Sequence, residues 1–248
     1  MSELSNKTRL SVTVCAITAL GGTSSALAAD PWSASANIGA VSNYIWRGVT
    51  QTDDQAAVQG GVDVAHESGF HAGTWVSNVD FGPGSATYEL DVTAGYDFQF
   101  GNEDMSLGLS TIYVAYPDSD PDDDFWEMAV TGGYKWFSAG IHYTVWGGDD
   151  TEDAIYTDGD IYYNLAVDLP LPKSFSIGAF AGYYDFTNEL PVNELETDSV
   201  DYTHWGVKLS KDASEFGTFS LTYEQTDGSD AEFWNDEAKV WVGWNKTF

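Results

Sequence analysis

The sequence predicts an all-β fold: one antiparallel transmembrane β-barrel of 12 strands, with short turns at one end and longer acidic loops at the other. Three observations carry this. The chain opens with an export signal, alternates apolar and polar residues with period two almost throughout, and joins its strands by connections that are alternately short and long.

Lys7 and Arg9 precede a short apolar run, Leu10 to Leu20, and Ala26-Leu27-Ala28 has the small-x-small form of a cleavage site. Residues 1–28 therefore read as a secretory signal, too short to span a bilayer, and residues 29–248 as the barrel domain. Cys15 lies inside the apolar run without a lipobox before it, so the mature chain has no cysteine and no disulfide framework. Of the 39 acids and nine bases the signal holds one and two, which leaves 38 acids against 7 bases. Phosphate binding needs Lys and Arg, so nucleic acid is excluded as a partner, whereas cations suit such a surface. The mature chain has no apolar run of about 18 residues, which excludes a spanning helix and leaves spanning strands open.

Twelve alternating segments follow, at 35–47, 55–67, 70–79, 87–100, 105–116, 125–136, 137–146, 159–169, 174–186, 200–210, 216–225 and 238–248. The clearest sets Tyr88, Leu90, Val92, Ala94, Tyr96, Phe98 and Phe100 on one face, with Glu89, Asp91, Thr93, Gly95, Asp97 and Gln99 on the other. Such length is unusual for a soluble sheet and right for a tilted membrane strand. The third and ninth segments carry apolar groups on both faces. Even-numbered segments end in short links such as Ser68-Gly69 and Phe137-Ser138; most odd-numbered ones end in long acidic loops, among them Pro117 to Asp124 with five Asp. That asymmetry is the layout of an outer-membrane barrel, with the termini on the short-turn, periplasmic side. Aromatics gather at strand ends: Phe70, Phe98, Phe100, Trp136, Phe137, Phe175, Trp244 and Phe248 low, and Tyr44, Trp46, Tyr88, Tyr113, Trp126, Trp146 and Tyr202 high. Two such belts are expected where a barrel meets the lipid–water boundaries. Inward glycines Gly95, Gly206 and Gly243 open space or relieve crowding.

The stretch Ser42-Asn43-Tyr44-Ile45-Trp46-Arg47-Gly48-Val49-Thr50-Gln51-Thr52, then Ala57-Val58-Gln59-Gly60-Gly61, then Ser68-Gly69-Phe70-His71-Ala72-Gly73-Thr74-Trp75 to Phe81, resembles the TorF-type porin family, also described as a bacterial family of unknown function. Later echoes are Tyr88-Glu89-Leu90-Asp91, Ala94-Gly95-Tyr96, Tyr116-Pro117-Asp118 and Glu127. The resemblance implies an outer-membrane, porin-like barrel of a Gram-negative bacterium and no particular solute. It also gives the terminal Phe248 a meaning, since such barrels commonly end in an aromatic read by their assembly machinery; Lys246 departs from the hydrophobic residue usual two places earlier.

The inward faces place Arg47, Glu89, Asp91, Glu127, Glu224 and Lys239 in the outer half as candidate pore-lining groups. Mostly acidic linings favour cations, so the expected function is passive diffusion of small solutes or ions with a cation preference. Arg47 either faces carboxylates across a constriction or pairs with Glu89 or Glu127 in a closed lumen. Asp118, Asp120, Asp122, Asp123 and Asp124 are candidate ligands for a divalent ion, which could bridge the loops to lipopolysaccharide, although the calcium-loop glycine and terminal glutamate are missing. Two other classes stay open: a non-conducting barrel acting in adhesion or structure through its loops, and a hydrolase. Against the latter, His142 and His204 face inward, His66 and His71 flank a turn, and no nucleophile motif is present, so no catalytic residue and no cofactor are expected. Outer-membrane lipid is the expected surrounding, and the oligomeric state is not legible.

Overall fold

The computed structural model describes residues 31–100, 104–119, 123–149, 151, 154–193, 196–228 and 237–248. The signal segment lies outside these residues. In chain order the first strands are β1 (Trp32–Val41), β2 (Ile45–Trp46), β3 (Val49–Thr50), β4 (Ala57–His66), β5 (Phe70–Asn78) and β6 (Tyr88–Phe100). Then come β7 (Met105–Ala115), β8 (Phe125–Tyr134), β9 (Phe137–Gly147), β10 (Ile161–Leu171) and β11 (Phe175–Asp185). The last are β12 (Glu189–Asn193), β13 (Glu196–Ser199), β14 (Tyr202–Asp212), β15 (Thr218–Gly228) and β16 (Lys239–Thr247).

Twelve of these strands close an antiparallel barrel, each paired with its neighbours along the chain and β16 returning to β1. Closure is visible at Asn37, which stands opposite Gly61 on β4 and Thr247 on β16. A closed sheet has no edge, so every strand's backbone polar groups find partners without water, which spanning a bilayer requires. Among the described residues no helix is long and apolar enough to cross a membrane.

Alternation sorts the side chains. On β8, Trp126, Met128 and Val130 are exposed on the outside, while Phe125, Glu127 and Thr131 are buried within. The same holds around the wall, where Val62, Val76, Val92, Ile141, Leu165, Leu221 and Val242 form a broad exposed apolar surface of the kind that marks contact with lipid. The ambiguous third segment resolves as β5, with Trp75 inside and Val76 outside. Inward glycines do make room. A Cβ on Gly95 would lie 2.5 Å from the His71 ring, and one on Gly206 2.4 Å from the Phe180 ring.

One boundary is corrected. The first predicted segment, 35–47, ends at Val41 as a wall strand. Residues 42–56 leave the wall and turn into the barrel, carrying β2 and β3 as a separate small hairpin. The high aromatic belt changes with it. Tyr88, Tyr113, Trp126 and Trp146 are exposed at the outer rim, but Tyr202 is buried inside, and Tyr44 and Trp46 pack into the interior core. Their amphipathic rings fit an interface by composition; position on an inward face or an inward loop overrides that.

The core therefore sits inside the barrel, in its outer half. One cluster is Tyr162, Tyr184, Phe186, Val200 and Tyr202, and the other is Val79, Ala86, Val114, Tyr116 and Phe125. Trp46 of the hairpin and Tyr156 of the loop before β10 pack against both and join them.

Candidate functional site

The hairpin pairs Ile45 with Thr50 and Trp46 with Val49, leaving Arg47 and Gly48 as a two-residue turn. Both have positive φ, 49° and 89°, the arrangement of a tight turn that matches strand twist. Glycine takes this conformation freely, whereas an arginine there costs about 1–2 kcal/mol. Below the turn the segment braces itself. Asn43 Nδ2 donates to Asp54 (2.7 Å), Thr50 Oγ1 to Asn43 Oδ1 (2.7 Å) and Thr52 Oγ1 to the Gln55 carbonyl (2.6 Å). Ile45, Trp46 and Val49 are apolar residues in a loop, and turning inward removes them from water.

The turn delivers Arg47 across the lumen to the opposite wall. Its Nη1 and Nη2 donate to Glu127 Oε1 and Oε2 of β8 at 2.7 and 2.6 Å, a two-pronged carboxylate contact. Nη1 also donates to the Tyr184 hydroxyl (3.1 Å), and Nη2 lies 3.4 Å from His142 Nδ1. The rings of Trp46 and Tyr162 each stand 4.2 Å from the guanidinium carbon, which places the cation against electron-rich ring faces. A buried charge needs such partners, and Arg47 is 9% exposed, Glu127 1%.

The surrounding groups are held from the wall. The Tyr162 hydroxyl is 2.8 Å from His204 Nε2, and Glu224 Oε1 accepts from His204 Nδ1 at 3.0 Å. Asn164 Nδ2 lies 3.3 Å from His142 Nε2. Glu89 accepts from the hydroxyls of Tyr44 (2.9 Å) and Tyr116 (3.1 Å). Asp91 is 3% exposed, and its buried Oδ1 has no hydrogen-bond partner among the described residues.

The six candidate lining residues thus separate. Glu89, Asp91, Glu127 and Glu224 project inward from β6, β8 and β15 and are buried in the outer half. Arg47 belongs to the hairpin rather than to the wall strand expected to carry it, and of its two expected partners it takes Glu127. Lys239 lies at the rim, paired with Asp54 at 2.6 Å. Tyr162, Tyr184, His142 and His204 complete the chamber, and the sequence does not single them out as a set, because alternation reports the face of a residue but not its height or its neighbour across the barrel. Arg47-Gly48 between Ile45-Trp46 and Val49 is the signal for the hairpin, weak because arginine is not a usual residue at a positive φ. Of the acidic run, Asp120 and Asp122 lie outside the described residues. Asp118 accepts from Thr87, Asp124 accepts from Tyr113 and from the Tyr116 amide, and no group of three or more candidate metal ligands occurs among the described residues.

Residues 25–248 match the family described as "Bacterial protein of unknown function (Gcw_chp)". The chain belongs to this family. Its barrel is similar in fold to solved outer-membrane porins. KdgM porin superposes with a TM-score of 0.54 at 12% identity, covering 86% of this chain and 99% of that one. NanC porin does so with a TM-score of 0.54 at 11% identity, covering 87% and 98%. A structure of KdgM porin in complex with disordered oligogalacturonate gives 0.53 at 12% identity, covering 87% and 99%. A search of the curated proteins found no match. This Gcw_chp chain thus has the barrel fold of these porins.

Proposed function

We propose that this Gcw_chp protein is an outer-membrane channel for small solutes or ions, preferring cations, whose passage is controlled by the Arg47 hairpin. The single observation that supports it best is the inside of the barrel. Four carboxylates, Glu89, Asp91, Glu127 and Glu224, face inward in the outer half, and among the described residues Arg47 alone is brought against them as a fixed positive charge. Oligogalacturonate, which accompanies KdgM porin, is a polyanion, and this lining disfavours it. Export through residues 1–28, assembly through Phe248 and cation-bridged contact of the acidic loops with lipopolysaccharide belong to the same reading.

A second reading is favoured by the burial of Arg47, Glu89 and Glu127: a barrel kept closed that acts in adhesion or structure through its outer loops. Conductance of the refolded protein in planar bilayers under a salt gradient separates the two. Discrete steps with a cation-favouring reversal potential are expected, larger when residues 45–50 are replaced by a short glycine linker. Inserted, folded protein that gives no steps with or without the hairpin would make the second reading the function.

A further inference from the structure

We propose that the chamber filled by Arg47 is a binding site for guanidinium-bearing organic cations, which Arg47 occupies as a tethered stand-in. The inference rests on the channel reading and names the class of solute. The occupant and its containing walls come from different parts of the chain. Glu127, His142, Tyr162 and Tyr184 project from β8, β9, β10 and β11, whereas Arg47 arrives on the hairpin, with the Trp46 ring beside it.

The wall groups are fixed from the barrel side. Tyr162 is backed by His204 and Glu224, and His142 by Asn164. The Tyr184 hydroxyl donates to Glu127 Oε1 at 3.1 Å, independently of Arg47. Bracing of these groups from the wall, rather than from the hairpin, is the preorganisation a ligand site needs. Its geometry selects a planar cation with parallel N–H donors: a carboxylate fork at one edge and a tyrosine face against the plane.

Arg47 leaves this chamber incompletely used. Its backbone sits at φ 49°, and its Nε has no partner among the described residues. Asp91 faces inward from β6 opposite Val114 of β7, which in turn pairs with Phe125, two residues from Glu127 on β8; buried with an unpartnered Oδ1, it offers a second acceptor that the hairpin does not fill. A cation with a guanidinium at one end and an ammonium at the other therefore fits better than a simple guanidinium ion. Such a solute would take the place of Arg47 and release the hairpin.

The test uses the refolded full-length protein in lipid nanodiscs, titrated with ethylguanidinium and with agmatine, with tryptophan fluorescence as the readout. Arg47→Ala is expected to bind ethylguanidinium at least tenfold more tightly than the unaltered protein, because the tethered side chain competes at an effective concentration in the millimolar range. Agmatine should bind more tightly than ethylguanidinium, and adding Glu127→Gln to Arg47→Ala should abolish both. Absence of saturable binding to folded Arg47→Ala, or equal affinity with and without Arg47, would overturn the proposal. Should Arg47→Ala not fold, the unaltered protein decides: agmatine should expose the Arg47–Gly48 bond to trypsin, and sodium chloride of equal ionic strength should not. Protection unchanged by agmatine would likewise overturn it. Binding without conductance in any variant would remove the channel reading and leave the site, and conductance without binding would do the reverse.

Discussion

At the scale of single residues, the hairpin is seated by two neighbours in sequence with different roles. Arg47 supplies the charge and Gly48 the space. A Cβ on Gly48 would lie 2.6 Å from His204 Cβ and from Thr226 Oγ1, at a φ of 89° that disfavours side chains. Gly48→Val should therefore unseat the turn, and trypsin should cut after Arg47 in that variant under conditions where the unaltered protein resists. Glu127→Gln keeps the shape and removes the charge. It leaves the guanidinium buried without its ion partner, so the loss should be of the order of 3–5 kcal/mol in urea-induced unfolding, the cost usual for breaking a buried pair from one side. An unchanged unfolding midpoint would mean that water reaches Arg47. Outside the wall, Asp118 accepts from Thr87 Oγ1 at 2.5 Å and from the Thr87 amide at 3.1 Å, and these bonds hold its carboxyl below the usual aspartate value. A depressed value stabilises the charged, folded form above the ordinary pKa, and that contribution is lost as the pH falls through the folded one. Exchange of the Thr87 amide should accordingly quicken, beyond the intrinsic pH effect, only in that acid range, and Asp118→Asn should remove the step.

At the scale of elements, the wall was legible in the sequence and the hairpin was not. Strands β4 to β11 and β14 to β16 fall within a few residues of the alternating segments, because burial on one side and lipid on the other imposes period two. The same rule carried the first segment too far. Tyr44, Trp46 and Gly48 continue the spacing of an alternating strand, yet backbone pairing with β4 and β16 ends at Val41. Periodicity registers which side a residue faces and is silent on whether the chain still runs along the wall. The lipid face gives a prediction at this scale. Val130 lies midway along β8 on the outside, 50% exposed, so Val130→Lys should cost about 2–4 kcal/mol in folding into bilayers. Tyr134→Lys, at the end of the same strand, should cost less, since the penalty falls toward the interface. Equal costs would mean that the bilayer is not centred on β8.

At the scale of the whole molecule, the barrel separates a rigid container from its contents. The container is set by twelve paired strands, and the contents by one inward loop that joins two aromatic clusters. The proposed cation preference is tested at this scale, because selectivity sums over the lining. With the hairpin removed, Glu89→Gln together with Asp91→Asn should shift the reversal potential under a salt gradient toward zero. An unchanged potential would place the selective constriction elsewhere.

The sequence by itself determined the class of fold, the number of strands, the ends at which turns and loops lie and, on the strands with clean alternation, which side chains face inward. Each of these follows from local alternation and from the length needed to cross a bilayer, information that neighbouring residues carry together. Only the tertiary structure decided that Arg47 meets Glu127 eighty residues away, that Tyr162 and Tyr184 flank it, and that the outer half of the lumen is filled. Those contacts run across the barrel, from the turn at Arg47 to wall strands far from it in the sequence. They depend on the height of each side chain and on the inward course of a loop, neither of which leaves a period in the sequence.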